Sequence, residues 1–163
     1  MDDHTLVVVL DVNKDGLAQI ASVMESLGDV DALHIVSHGD DGKLRLGNTL
    51  IDAANINNWA QSVSDWGDKL GADGDILFYG CNLAAYNDGK QLMHHMANLT
   101  GADIAASNDL TGATALGGDW DMEYVIGQVA TELVVDAASR DAYMHTFASV
   151  PDVTIGNVQA DPL

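Results

Sequence analysis

"GDILFYGCNLAAYNDG", residues 74–89, opens on an apolar run, breaks at Gly80 and passes into a helix-like pattern. A run as short as Ile76–Tyr79, closed by glycine, reads as a strand buried on both faces, the kind found inside parallel sheets. "DALHIVSHG" (31–39) has the same plan and ends on His38 and Gly39. "TLVVVLDV" (5–12) and "ADIAAS" (102–107) supply two more buried strands by the same criterion. Helical spacing fills the intervals. Leu17, Ile20, Ala21, Met24 and Leu27 recur on one face before Gly28; Ile56, Trp59, Ala60, Val63, Trp66 and Leu70 form a second stripe; "AAYNDGKQLMHHMANLTG" carries a third helix, stopped at Gly101. Strand alternating with helix predicts an α/β fold: a three-layer α/β/α sandwich around a mainly parallel sheet. "KLRLGNTLI" (43–51) alternates around Gly-Asn and reads as a marginal hairpin. Two turns of helix put Trp59 and Trp66 on one stripe, so both are expected to pack in the core.

The charge balance removes whole classes of function. Six Lys and Arg face 25 Asp and Glu, a formal charge of −19, which repels phosphate backbones and anionic membranes. Nucleic acid is excluded as a partner. No apolar run approaches the length of a membrane span and no basic leader opens the sequence, so no membrane insertion is expected. A chain of 163 residues with 47% apolar content suits one folded domain, drawn here as residues 1–147. Residues 148–163 hold both prolines and lack helical periodicity, and read as a linker or the start of another module. The single cysteine, Cys81, has no partner for an internal disulfide.

Ligands and reactive groups gather at the carboxyl ends of parallel strands, where loops and backbone N–H groups converge. His38–Gly39 follow one such end and Gly80–Cys81 follow another, and the hairpin and helix between them suit a crossover joining neighbouring strands. An imidazole beside a thiol favours the thiolate and later protonates a leaving amine, and a helix N-terminus just beyond Cys81 is expected to help hold negative charge. The N–H groups of Gly39 and Cys81 are the candidate oxyanion donors. Taken singly, a cysteine after a strand is more often a small buried hydrophobe, and a strand-end histidine a hydrogen-bonded turn residue.

"HIVSHG" followed by "ILFYGCN" resembles the caspase-like, or clan CD, cysteine peptidases, in which His precedes Cys, each follows a buried strand, and the His is followed by Gly. Over about residues 6–127, "DALHIVSHG", "LRLGNTLI", "DILFYGCNLA", "LTGADIAASNDLTG" and "LGGDWDMEY" are also similar to an uncharacterised bacterial domain of very large surface or secreted proteins with cadherin-like and calcium-binding repeats. The resemblance implies a caspase-like fold and a His38–Cys81 dyad. It also implies peptidase activity on a polypeptide substrate, in cis on the parent protein or on a surface protein, and an extracellular or cell-surface location. In the family pattern a further strand with a short acidic motif precedes the one that opens this sequence. Its absence here predicts an altered pocket for the residue before the scissile bond and an exposed sheet edge through which a homodimer could form. The rival reading is a non-catalytic interaction or maturation module of a giant adhesin, and a third is a calcium-stabilised structural domain.

Weaker signals lie nearby. Asp11, Asn13 and Asp15 in "DVNKDG" have the spacing of a calcium loop, but Ser22 stands where a bidentate Glu belongs and the motif follows a strand; a capped strand-to-helix turn is the competing account. His94 and His95 are adjacent and so point apart on a helix, which is no metal pair. "TGATALGGDWD" lacks the Lys-Ser/Thr of a phosphate loop and is expected to shape a substrate groove instead. Ser107, Asn108, Asp109, Asp119 and Trp120 are its candidate pocket residues, weighed against turn formation for the polar ones and core closure for Trp120. The acidic surroundings favour a basic residue before the scissile bond.

Overall fold

The computed structural model describes residues 5–40, 42–148 and the backbone of 157–158. In chain order the elements are α1 (Gly16–Leu27), β1 (Val30–Val36), β2 (Gly39–Asp40), β3 (Lys43–Leu46), β4 (Thr49–Ile51), α2 (Ala60–Gly67), β5 (Leu70–Tyr79), α3 (Asn87–Thr100), β6 (Asp103–Ala106), β7 (Tyr124–Ile126), α4 (Ala137–Ala142) and β8 (Asn157–Val158). The main sheet has the order β7-β6-β5-β1-β8; β1, β5 and β6 are parallel, and β7 and β8 run antiparallel at its margins. The fold is therefore α/β with a mostly parallel central sheet flanked by helices, as the alternation of patterns predicts.

Sheet faces divide by the period of two. Leu33, Ile35, Ile76, Phe78, Ile104 and Ala106 join the larger core with α1 (Leu17, Ile20, Met24), α2 (Val63, Trp66) and α3 (Leu92, Met93, Met96). Successive crossovers stepping one way along a sheet, all of one hand, lay their helices on one face. The opposite face, built on Val36, Leu77, Tyr79 and Ala105, is covered by Trp120, Val134, Tyr143 and Phe147, from a stretch that includes α4. Trp66 is fully buried and Trp59 packs against the same core, with its indole N–H donating to Asp15. The β3–β4 hairpin turns at Gly47–Asn48 and forms a separate three-stranded sheet with β2.

Three sequence expectations need correction. Thr5–Leu10 enters no sheet ladder: Val9 is 71% exposed, while Leu10 is 2% exposed in the larger core. Antiparallel β8 pairs with β1 at Leu33 and His34, a position the N-terminal valines would need as a buried strand. The second helix is shorter than its stripe. Ile56–Trp59 is a 3₁₀ turn, α2 stops at Gly67, and Leu70 already belongs to β5. Gly67 cannot carry a side chain, because a Cβ there would meet the Thr100 carbonyl at 2.1 Å. The third helix begins at Asn87, later than its sequence pattern. As for the linker predicted over 148–163, residues 149–156 and 159–163 lie outside the described residues.

A buried polar network ties the second face to the sheet. Val134 N–H donates to the Tyr79 hydroxyl (3.0 Å), which faces His34 Nδ1 (3.0 Å). Asp75 accepts from the N–H groups of Ala130 and Thr131 and from the Thr131 hydroxyl. Burial lowers His34 to about 4, opposed by the charge of Asp75, and raises Tyr79 to about 12. His34 is thus held neutral in the fold while the unfolded chain protonates near 6.5. Its contribution is complete above that value and is lost as pH falls towards 4, by on the order of 3 kcal/mol in the limit. Urea melts of wild type and His34→Gln between pH 7 and 4 should show a steeper loss of stability in wild type; parallel curves would show that His34 is not held neutral.

Candidate active site at the ends of strands β1 and β5

β1 and β5 run in parallel register, with Val36 opposite Tyr79, and one further bond, Ser37 N–H to the Tyr79 carbonyl, carries the pairing past the strand end. The next residues on each side are therefore His38 and Gly39 on one strand and Gly80 and Cys81 on the other. Here the backbones touch. A Cβ on Gly39 would come within 2.7 Å of the Cys81 carbonyl oxygen and 2.9 Å of the Gly80 carbonyl carbon. Glycine is required at position 39 by that approach, not by a special φ.

After Cys81 the chain turns sharply. Leu83 N–H bonds back to the Gly80 carbonyl, and Asn82 takes φ of 54°, the left-handed region that non-glycine residues seldom occupy and that asparagine tolerates best. Asn82 N–H donates to the Asp109 carbonyl (2.7 Å) and Ala84 N–H to the Ser107 carbonyl (3.0 Å), which fastens the turn to the loop after β6. The expected helix N-terminus just beyond Cys81 is not there. Residues 81–84 are spent on this turn and α3 starts at Asn87. The N–H groups close to the sulfur belong to turns and loops instead.

Cys81 is 0% exposed. Thr111 N–H donates to its sulfur (3.3 Å) and the thiol reaches the Thr111 carbonyl (3.7 Å). Burial pushes the thiol above its ordinary value and the negative Asp109 adds to that, while N–H groups of Thr111, Phe147 and Cys81 itself pull the other way. The thiol, not the thiolate, is the resting form of this arrangement. His38 is half-buried, and its Nδ1 is hydrogen-bonded to the Phe147 carbonyl. A carbonyl only accepts, so Nδ1 donates this bond, and Nε2 lies on the other side of the ring. That Nε2 and the hydroxyl of Thr111 are both buried without a hydrogen-bond partner. An unmet buried polar atom costs about 1–3 kcal/mol, so the enclosure is held against a standing penalty.

The remaining predicted residues separate into two groups. Ser107 is fully buried, and its hydroxyl bonds both the N–H and the carbonyl of Asp109, so it builds the turn. Asn108 donates its N–H to Glu123. Trp120 closes the second core, edge-on to Tyr143 (5.5 Å between centroids) and Phe147 (5.7 Å). Asp109 and Asp119, by contrast, meet Glu123: one carboxylate oxygen from each lies within 4.8 Å of the others. Burial and then the neighbouring Glu123, Asp119 and Asp121 raise the Asp109 carboxyl. Beside them opens a cleft of about 550 Å³, lined among others by Ala113, Thr114, Asp119, Trp120, Arg140 and Tyr143, so the glycine-rich loop does border a groove. The calcium-like loop is a capped turn. Both Asp15 oxygens are engaged, one by Leu17 and Ala18 N–H groups and the other by Trp59, and Asp11 is bonded by Asn13 and Lys14. Sequence reasoning missed Thr111, Glu123 and Phe147. Only Glu123 left a signal, as one of four acidic residues within "DWDME" and its flank at Asp109.

Among the described residues no helix is long and apolar enough to cross a membrane. Residues 1–147 match the model of a family described as a domain of unknown function, DUF4347. No curated protein and no solved structure matches the chain. The Gly39 approach gives a direct check on the geometry. Gly39→Ala should destabilise the fold by roughly 1–3 kcal/mol, measured by chemical denaturation, and Gly28→Ala, whose Cβ meets nothing within 4 Å, should lack the clash part of that loss.

Proposed function

The chain belongs to the DUF4347 family, and we propose that it is a cysteine endopeptidase module acting through a His38–Cys81 dyad. The observation that carries this reading is the parallel register that sets His38–Gly39 against Gly80–Cys81 at one edge of the sheet. His38 takes the thiol proton as Cys81 attacks a peptide carbonyl, and the N–H groups of Gly39 and Cys81 receive the oxyanion. The leaving amine departs with the proton held on His38, and water then hydrolyses the thioester. Asp109, Asp119 and Glu123, next to the turn that carries Cys81, favour a basic side chain before the scissile bond. The substrate is a polypeptide, in cis within a larger extracellular or cell-surface bacterial protein or on a neighbouring one.

A second reading, a non-catalytic interaction module, draws on the complete enclosure and burial-raised ionisation of Cys81. A peptidyl electrophile separates the two: labelling of Cys81 that His38→Ala abolishes supports the peptidase, and labelling that ignores His38 supports the binding module. Quenched peptides with Arg, Asp or Leu before the bond test specificity. The Arg peptide should be cut fastest, with kcat/KM falling by about 10³-fold or more in Cys81→Ala and in His38→Ala. Cleavage that survives Cys81→Ala would sink the proposal.

A further inference from the structure

The segment Tyr143–Phe147 passes beside the candidate site and pairs with the chain after β6 through one antiparallel bridge. Ala113 N–H donates to the His145 carbonyl (2.9 Å), Phe147 N–H donates to the Thr111 carbonyl (3.0 Å), and Gly112 bridges Thr146 antiparallel between them. The contact is close: a Cβ on Gly112 would meet the His145 oxygen at 2.4 Å and the Thr146 Cα at 2.8 Å. Phe147 engages both members of the dyad, its carbonyl bonded to His38 Nδ1 and its N–H placed to favour a negative Cys81. An extended peptide that pairs its backbone with a free strand edge, and offers alternate side chains to pockets, is how polypeptide ligands commonly bind.

We propose that Tyr143–Phe147 is a tethered substrate mimic: it lies on the strand edge Thr111–Ala113 that receives an extended polypeptide, and it shuts Cys81 until it is displaced. This rests on the peptidase reading for the word substrate, but the closure itself does not. Up to Val134 the chain is held by buried polar bonds to Asp75 and Tyr79, whereas beyond α4 the segment meets the site itself, through Thr111, Ala113 and His38, and packs its rings with Trp120. Its departure would let water reach His38 Nε2 and the Thr111 hydroxyl, which the closed state leaves without partners.

The test uses the full chain, whose one cysteine makes iodoacetamide labelling unambiguous by intact mass. Tyr143→Ala/Phe147→Ala, and separately Gly112→Ala, should label at least tenfold faster than wild type while the amides of β5 keep their protection from hydrogen exchange. In wild type, the opening constant from labelling should match that of the Phe147 and Ala113 amides and exceed that of β5. Equal labelling in the folded variants, or wild-type labelling that opens only together with β5, would overturn the proposal. If the variants lose β5 protection, the wild-type comparison decides alone. Iodoacetamide needs no catalysis, so fast labelling without peptide cleavage condemns the peptidase reading and spares the closure, and cleavage with unaltered labelling does the reverse.

Discussion

Everything at the site depends on the backbone contact between two strand ends. β1 and β5 pair in parallel with Val36 opposite Tyr79, and their continuations approach so closely that no side chain fits at Gly39. Parallel pairing fixes which residues become neighbours, because side-chain direction alternates and a slip of one residue would send His38 or Cys81 to the other face. The hydrophobic demand of both sheet faces makes such a slip expensive. Ile76 and Phe78 fill one core while Leu77 and Tyr79 fill the other, so the register that sets His38–Gly39 against Gly80–Cys81 is the same one that satisfies the interior.

The polar network below the site lies on the second face of the same sheet. Asp75 and Tyr79, two positions of β5 four residues apart, fasten the stretch around Ala130–Val134 to the second face. Tyr79 is held protonated there, shifted to about 12 by burial, with its hydroxyl accepting from Val134 and facing His34. Asp75 still has one buried oxygen without a partner. One strand therefore leads into Cys81 at its carboxyl end and anchors the covering segment along its length.

How much of this was legible in the sequence follows from the range of the interactions. Short apolar runs mark β1, β5 and β6, since burial on both faces leaves no polar alternation to confuse the reading, and the meeting of His38–Gly39 with Gly80–Cys81 follows from strand order alone. The run Thr5–Val12 misled for the same reason, because its composition suits a buried strand while the ladder beside Leu33 and His34 goes to a segment more than a hundred residues away. The late start of α3 is a local failure of another kind. The helical pattern is present from Ala84, but the turn at Asn82 and its bonds to Ser107 and Asp109 take precedence over propensity. Thr111 and Phe147 were invisible because they act through backbone groups, which any residue possesses. The acidic trio was partly visible: Asp109 and Asp119 stood out, and Glu123 joins them only because β6 and β7 pair antiparallel, with Ala106 opposite Tyr124.

Placing α1, α2 and α3 on one face has a consequence for the order in which the molecule is completed. The larger core, with the sheet strands β1, β5 and β6, is assembled from residues before about 106, whereas the cover of the face bearing Cys81 comes from Trp120 onwards. A chain synthesised from its amino end can thus bury its helical side first. The stretch from Trp120 to Phe147, which supplies the cover of the second face, follows later, so the surroundings of Cys81 are completed only after the helical side is in place.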